Sequence, residues 1–122
     1  MILNLEKSSN FHEIEIWRCL IHILNGLNVM HSKKICHRDI KSGNIFISQD
    51  KHNQPLYKLG DFNVSKIAKN DVMKTQTGTP YYCAPEIWQN KPYDCKSDIW
   101  SLGCVIYEMA ALRPPFMATS MD

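Results

Sequence analysis

Apolar residues recur three or four positions apart at Ile14, Trp17, Leu20, Ile21, Leu24 and Leu27, the period of an amphipathic helix. Asn10 followed by Glu13 has the spacing of a capping box and predicts where that helix begins; it should end before Lys33. The pattern then breaks. Residues 37–44 read as a loop, Ile45-Phe46-Ile47 as a short buried strand and residues 56–59 as its hairpin partner, joined by the polar stretch 48–55. Between residues 63 and 82 polar residues dominate, with Thr75, Thr77 and Thr79 two apart around Gly78, which predicts a flexible loop. A second helical segment runs from about residue 97 to 111. Its Ile99, Trp100, Leu102, Val105, Ile106, Tyr107 and Met109 cover much of the circumference and predict a core helix. Arg113-Pro114-Pro115-Phe116 stops it, since proline cannot continue a helix and disfavours helical geometry in the residue before it.

These elements bring two polar runs to one place. The loop His37-Arg38-Asp39-Ile40-Lys41-Ser42-Gly43-Asn44 precedes the hairpin, and Asp61-Phe62-Asn63 follows its second strand. Taken singly, an Asp in a loop is a turn former and a Lys a solvated charge. Grouped, they suit phosphoryl transfer, which needs an oriented acceptor hydroxyl and metal ions against the phosphate oxygens. Asp39 is placed to accept the hydroxyl proton, Lys41 to set a positive charge on the transferring phosphate, and Asn44 and Asp61 to offer the hard oxygen ligands that Mg²⁺ prefers.

Those runs, with Leu59-Gly60-Asp61-Phe62, Gly78-Thr79-Pro80-Tyr81-Tyr82, Ala84-Pro85-Glu86 and Ser97-Asp98-Ile99-Trp100-Ser101-Leu102-Gly103, resemble eukaryotic protein kinases over nearly the whole chain. Lys41 after Asp39, with Thr79 ahead of Ala84-Pro85-Glu86, is similar to the serine/threonine type, and the wider motifs most resemble the NIMA-related group. The resemblance implies an α+β kinase fold in which residues 1–122 are a partial kinase domain: a mostly helical C-terminal lobe fragment with a short β-hairpin, without the N-terminal lobe. It implies ATP and Mg²⁺ as cofactors and a protein substrate with a Ser or Thr acceptor. It also implies that His37 and Phe62 stack in a spine between lobes, that Phe46 lies below the adenine ring, and that Asp98 reaches the backbone of the catalytic loop. Glu86 is expected to pair with an arginine beyond this chain. Arg38 beside Asp39 suggests control by a phosphate on the activation segment, with Thr75 the best match to the phosphorylated position and Thr77 the second. One residue departs from the pattern: Asn63 stands where the family has glycine, at a site whose backbone angles asparagine enters at modest cost.

Composition narrows the partners. A net charge of +2 over 122 residues, with scattered lysines, does not suggest nucleic-acid binding. No apolar run is long enough to span a bilayer, and residues 1–10 do not resemble a signal peptide, so a cytoplasmic location is expected, with cytoskeletal association implied by the resemblance. Five cysteines, Cys19, Cys36, Cys83, Cys95 and Cys104, lack any Cys-x-x-Cys spacing and read as reduced thiols, and Cys36 beside His37 reads as a packing residue. His12, His22 and His31 fall on or near the first helix, where surface or packing roles are expected. No Gly-x-Gly-x-x-Gly loop or Val-Ala-Ile-Lys strand precedes the catalytic run. Two classes therefore stand: a catalytic serine/threonine kinase represented by a fragment, and a truncated, non-catalytic chain that binds partners.

Overall fold

The structure, a computed structural model, describes residues 11–62, 66–67, 81–89, 91–92 and 94–117, with the backbone alone at 66–67. The first helix, α1 (Glu13–Ser32), starts at an N-cap of His12, whose backbone is extended and makes no side-chain cap. The His12 carbonyl instead receives the N–H groups of Glu15 and Ile16. The cap thus falls on His12, two residues after the expected Asn10, which lies outside the described residues. Glu13 and Glu15 still favour this end of the helix by facing its positive dipole.

The buried face of α1 differs from the expected one. Cys19, Ile23 and Leu27 are fully buried, with Ile16, Leu20 and Met30 packed beside them. Ile14, Trp17, Ile21 and Leu24 are exposed, Ile14 by 64%. The helix carries two apolar stripes about a third of a turn apart, and the expected face mixed residues of both.

The hairpin pairs β2 (Ile45–Gln49) with β3 (Pro55–Leu59), antiparallel, with Ile45 opposite Leu59 and Gln49 opposite Pro55. Its strands run further than expected because Asp50 closes a tight turn. The Asp50 carboxylate accepts from the N–H groups of His52 and Gln54, and Asn53 takes the left-handed conformation at φ 59°. Ile45 is buried and Phe46 exposed, so β2 is half-buried. β3 is pinned to α1 by the Tyr57 N–H, which donates to His22 Nδ1 at 3.2 Å.

A two-residue strand, β1 (Ile35–Cys36), precedes the loop and pairs antiparallel with β4 (Lys66–Ile67), inside the stretch expected to be all loop. A short helix α2 (Pro85–Trp88) follows, with proline in its first turn, and then α3 (Cys95–Ala111). The start of α3 is two residues earlier than expected, set by Asp94, whose carboxylate accepts from Lys96 and Ser97 N–H while Ser97 Oγ accepts from Asp94 N–H. It ends at Leu112, left-handed at φ 54°, before the prolines.

α3 is not enclosed on all sides. It buries Ser97, Asp98, Ser101, Leu102, Val105, Glu108 and Met109, while Ile99, Trp100 and Tyr107 face out, Trp100 stacked on Phe116. The core joins three sources: Cys19, Ile23 and Leu27 of α1; Ile40, Ile45 and Tyr57 of the loop and hairpin; and Leu102, Val105 and Met109 of α3. The loop 37–44 is threaded between these layers.

Candidate active site

Asp98 organises the loop from below. Its fully buried carboxylate accepts from the His37 N–H (2.8 Å) and the Arg38 N–H (2.9 Å), and lies 2.8 Å from His31 Nε2. Arg38 is held at φ 72°, a conformation that non-glycine residues resist. Charge-assisted bonds to two successive N–H groups supply what keeps the chain there.

His37 carries the order onward. Its Nδ1 accepts from the Asp39 N–H (3.3 Å), so its Nε2 bears the proton and donates to the Gly60 carbonyl (3.0 Å). The Gly60 N–H in turn donates to the Asn44 carbonyl at 2.9 Å. Gly60 is thus bonded on both sides to the loop, which fixes the entry of Asp61. The lack of a Cβ there matters, since one would lie 2.7 Å from Phe46 Cε2. Asp61 follows at φ 60°, and the Phe62 ring meets His37 edge-on, with centroids 5.4 Å apart and planes at 64°, where a stack was expected.

Lys41 and Asn44 converge on Asp39. Lys41 Nζ donates to both carboxylate oxygens (2.8 and 3.1 Å), and Asn44 Nδ2 donates to Asp39 Oδ2 (2.9 Å) and to the Asp39 carbonyl (2.8 Å). The Asn44 amide group is spent on Asp39, so its Oδ1 points away as an oxygen donor. The exposed ring of Phe46 (49%) lies beside this site. A groove of about 310 Å³, lined in part by His22, Gly26, Met30, Tyr57 and Phe62, meets this cluster only at Phe62.

A second layer was not read from the sequence. Tyr82 Oη donates to the buried Glu108 (2.6 Å), leaving Ser42 Oγ to donate to Tyr82 (3.0 Å), while Ser101 Oγ donates to the Tyr82 carbonyl (2.8 Å). Burial, then Glu108, pushes the Tyr82 phenol up to about 12. The signal was present: Glu108 sits between Val105 and Met109 on the inner face of α3, and a buried carboxylate demands a donor. His31, assigned a surface or packing role, instead reaches Asp98 from 67 positions away. Glu86 Oε1 accepts from Ser97 Oγ at 2.5 Å, which ties α2 to α3. Thr75, Thr77 and Asn63 lie outside the described residues.

Residues 2–122 match the model of the protein kinase domain. The chain belongs to the protein kinase family. It is 45% identical over 122 residues to serine/threonine-protein kinase Nek5 of Homo sapiens, covering 98% of this chain and 17% of that protein. It is 46% identical over 117 residues to serine/threonine-protein kinase Nek3 of Mus musculus, covering 94% of this chain and 22% of that protein. To the probable serine/threonine-protein kinase nek2 of Dictyostelium discoideum it is 48% identical over 109 residues, covering 86% of this chain and 25% of that protein. This kinase chain is therefore a partial kinase domain resembling the Nek serine/threonine kinases. Among its described residues no helix is long and apolar enough to cross a membrane.

Proposed function

We propose that this chain carries the phosphate-acceptor side of a serine/threonine kinase site, with ATP as donor and a protein hydroxyl as acceptor. The observation that supports it is the convergence of Lys41 and Asn44 on Asp39. In the reaction the substrate hydroxyl oxygen attacks the γ-phosphorus, the bond to the β-phosphate oxygen breaks, and Asp39 takes the hydroxyl proton. Lys41 holds the Asp39 carboxylate in the ground state and lies within reach of the phosphate as its charge develops.

The donor set fits Mg²⁺. Asn44 bonds Asp39 through its Nδ2, which leaves its Oδ1, with the Asp61 carboxylate, as the hard oxygen donors this reading calls for. Two protein oxygens are what Mg²⁺ takes when substrate phosphates and water complete its shell. No group of three His, Cys, Asp or Glu suited to a metal occurs among the described residues. Bound there, the ion would neutralise charge on the phosphate oxygens.

The chain spans between 17% and 25% of the length of the three relatives, and its 122 residues contain no glycine-rich phosphate loop. The 122-residue chain alone is therefore expected to transfer little or no phosphate, because half of the nucleotide cleft is open to water. A protein containing these residues together with a glycine-rich lobe is expected to phosphorylate a generic Ser/Thr peptide in Mg²⁺-ATP, and Asp39→Asn to lower kcat by about 10² or more. Equal turnover by the Asp39→Asn protein would overturn the assignment. A second reading has these 122 residues acting as a partner-binding module without catalysis. Robust Mg²⁺-dependent transfer by the 122 residues alone, lost in Asp39→Asn, excludes it.

Control by phosphate on the activation segment belongs to the same proposal. It rests on Arg38 beside Asp39 and on the spacing of Thr75 and Thr77. In the same assay, Thr75→Ala is expected to lower both activity and segment phosphate. An unchanged rate with unchanged phosphate content would remove Thr75 from the scheme.

A further inference from the structure

Cys36 and Cys95, 59 positions apart in sequence, meet with their sulfurs 3.6 Å apart. Cys36 ends β1 immediately before His37, and Cys95 opens α3 one turn before Asp98. The thiols thus join the same two elements that Asp98 joins by hydrogen bonds to the His37 and Arg38 N–H groups. We propose that Cys36 and Cys95 form a peroxide-sensitive thiol pair that closes to an intramolecular disulfide beneath the loop carrying Asp39.

The geometry divides the roles. Cys36 is 1% exposed, whereas Cys95 is only partly buried at the end of its helix, so the oxidant reaches Cys95 first. A buried thiol that resists ionisation is also the poorer first nucleophile, and burial, followed by the contact with Cys95, pushes the Cys36 thiol up to about 12. The Cys95 sulfur attacks one oxygen of hydrogen peroxide, the O–O bond breaks, and Cys95 sulfenic acid and one water result. The Cys36 sulfur then attacks the Cys95 sulfur, the S–O bond breaks, and the hydroxyl leaves with the Cys36 proton as a second water. Two thiols and one peroxide give one disulfide and two waters, the sulfurs losing the two electrons that the peroxide gains.

Forming the bond brings the sulfurs about 1.5 Å closer, to the disulfide length of about 2.05 Å. The other thiols are placed differently. Cys19 and Cys104 are buried, Cys83 approaches the Ala84 carbonyl, and among the described residues no second thiol pair lies within hydrogen-bond distance. The proposal does not depend on the kinase reading, because its readout is chemical.

The experiment treats the native chain with dilute hydrogen peroxide, removes the peroxide with catalase, unfolds the chain in guanidinium chloride with N-ethylmaleimide present so that the buried thiols are also blocked, and maps the disulfides by peptide mass spectrometry. The expected result is a Cys36–Cys95 linkage as the dominant product, lost on adding dithiothreitol, with Cys19, Cys83 and Cys104 alkylated. The chain oxidised in guanidinium chloride should instead spread its linkages over all five cysteines. In Cys36→Ser, dimedone should trap a sulfenic acid at Cys95, because the second step is blocked. Any of three results overturns the proposal: another dominant pair, the same distribution in native and denatured chains, or no dimedone adduct at Cys95 in Cys36→Ser. A Cys95→Ser chain keeps the test independent of one variant's folding, since it should leave Cys36 fully alkylated after the same treatment.

Discussion

Arg38 sits at φ 72° because two buried N–H groups, its own and that of His37, have a single acceptor beneath them in Asp98. A left-handed non-glycine residue costs on the order of 1 kcal/mol or more. Two hydrogen bonds to a charged, buried carboxylate outweigh that, at about 1.5–3 kcal/mol each. The side chain that fixes Asp39 is thus 59 residues away from it, and its short, acidic, fully buried character is what the site requires. Truncation to Asp98→Ala leaves both N–H groups without this acceptor and removes the partner of His31. The expected loss is about 3–5 kcal/mol of unfolding free energy, read from denaturant titration. Asp98→Asn should fall between this variant and the parent, because it keeps one acceptor oxygen and loses the charge. A loss under about 1 kcal/mol in Asp98→Ala would show that the loop holds its shape by other contacts.

Much of the element structure was legible in the sequence, and the failures share a cause. The two long helices, the hairpin and the placement of Asp61 past β3 follow from local periodicity and turn residues. Which face of α1 is buried does not, because Ile14, Trp17, Ile21 and Leu24 form a stripe as apolar as the one formed by Cys19, Ile23 and Leu27. Periodicity reports that a stripe exists; which stripe is covered depends on what packs there, here β3 and α3. The outward faces of Trp100 and Tyr107 on α3 were misread for the same reason, and β1–β4 pairing escaped because two-residue strands carry no period. Asp39, Lys41 and Asn44, neighbours in one motif, meet in the structure, whereas the contacts of His31 with Asp98 and of Tyr82 with Glu108 join residues distant in sequence. The two stripes of α1 can be separated by mutation. Ile23→Ala, in the core, should cost about 2–5 kcal/mol of stability, while Ile21→Lys, on the exposed stripe, should cost under about 0.5 kcal/mol and raise solubility. Equal losses from the two variants would mean that both stripes are covered in solution.

At the scale of the whole molecule, the apolar surface of the described fold includes the outer stripe of α1, the Trp100–Phe116 pair on α3, and Phe46 with Phe62 beside the site. Exposed apolar surface of this kind favours association of the isolated chain. What holds the described layers together is partly polar. The Ser42–Tyr82–Glu108 chain bonds the loop to α3, and Tyr82 stays protonated because burial, then Glu108, raises its phenol from 10.0 to about 12. Burial likewise lifts Tyr57 from 10.0, and Cys19 and Cys36 from 9.0, to about 12 in each case. These four groups hold their protons more tightly folded than unfolded, so unfolding releases protons only at alkaline pH. Their contribution to stability is complete below about pH 9 and is lost progressively as pH rises from about 9 to about 12. Denaturant midpoints measured across that range should fall, with the steepest part above pH 10 where tyrosine joins cysteine. Tyr82→Phe should lower stability at neutral pH by about 1–3 kcal/mol, because Glu108 loses its donor, and should flatten the decline between about pH 10 and 12. An unchanged alkaline slope in Tyr82→Phe, with the phenolate absorbance that the parent has and the variant lacks titrating as in free tyrosine, would show that the relay is not formed.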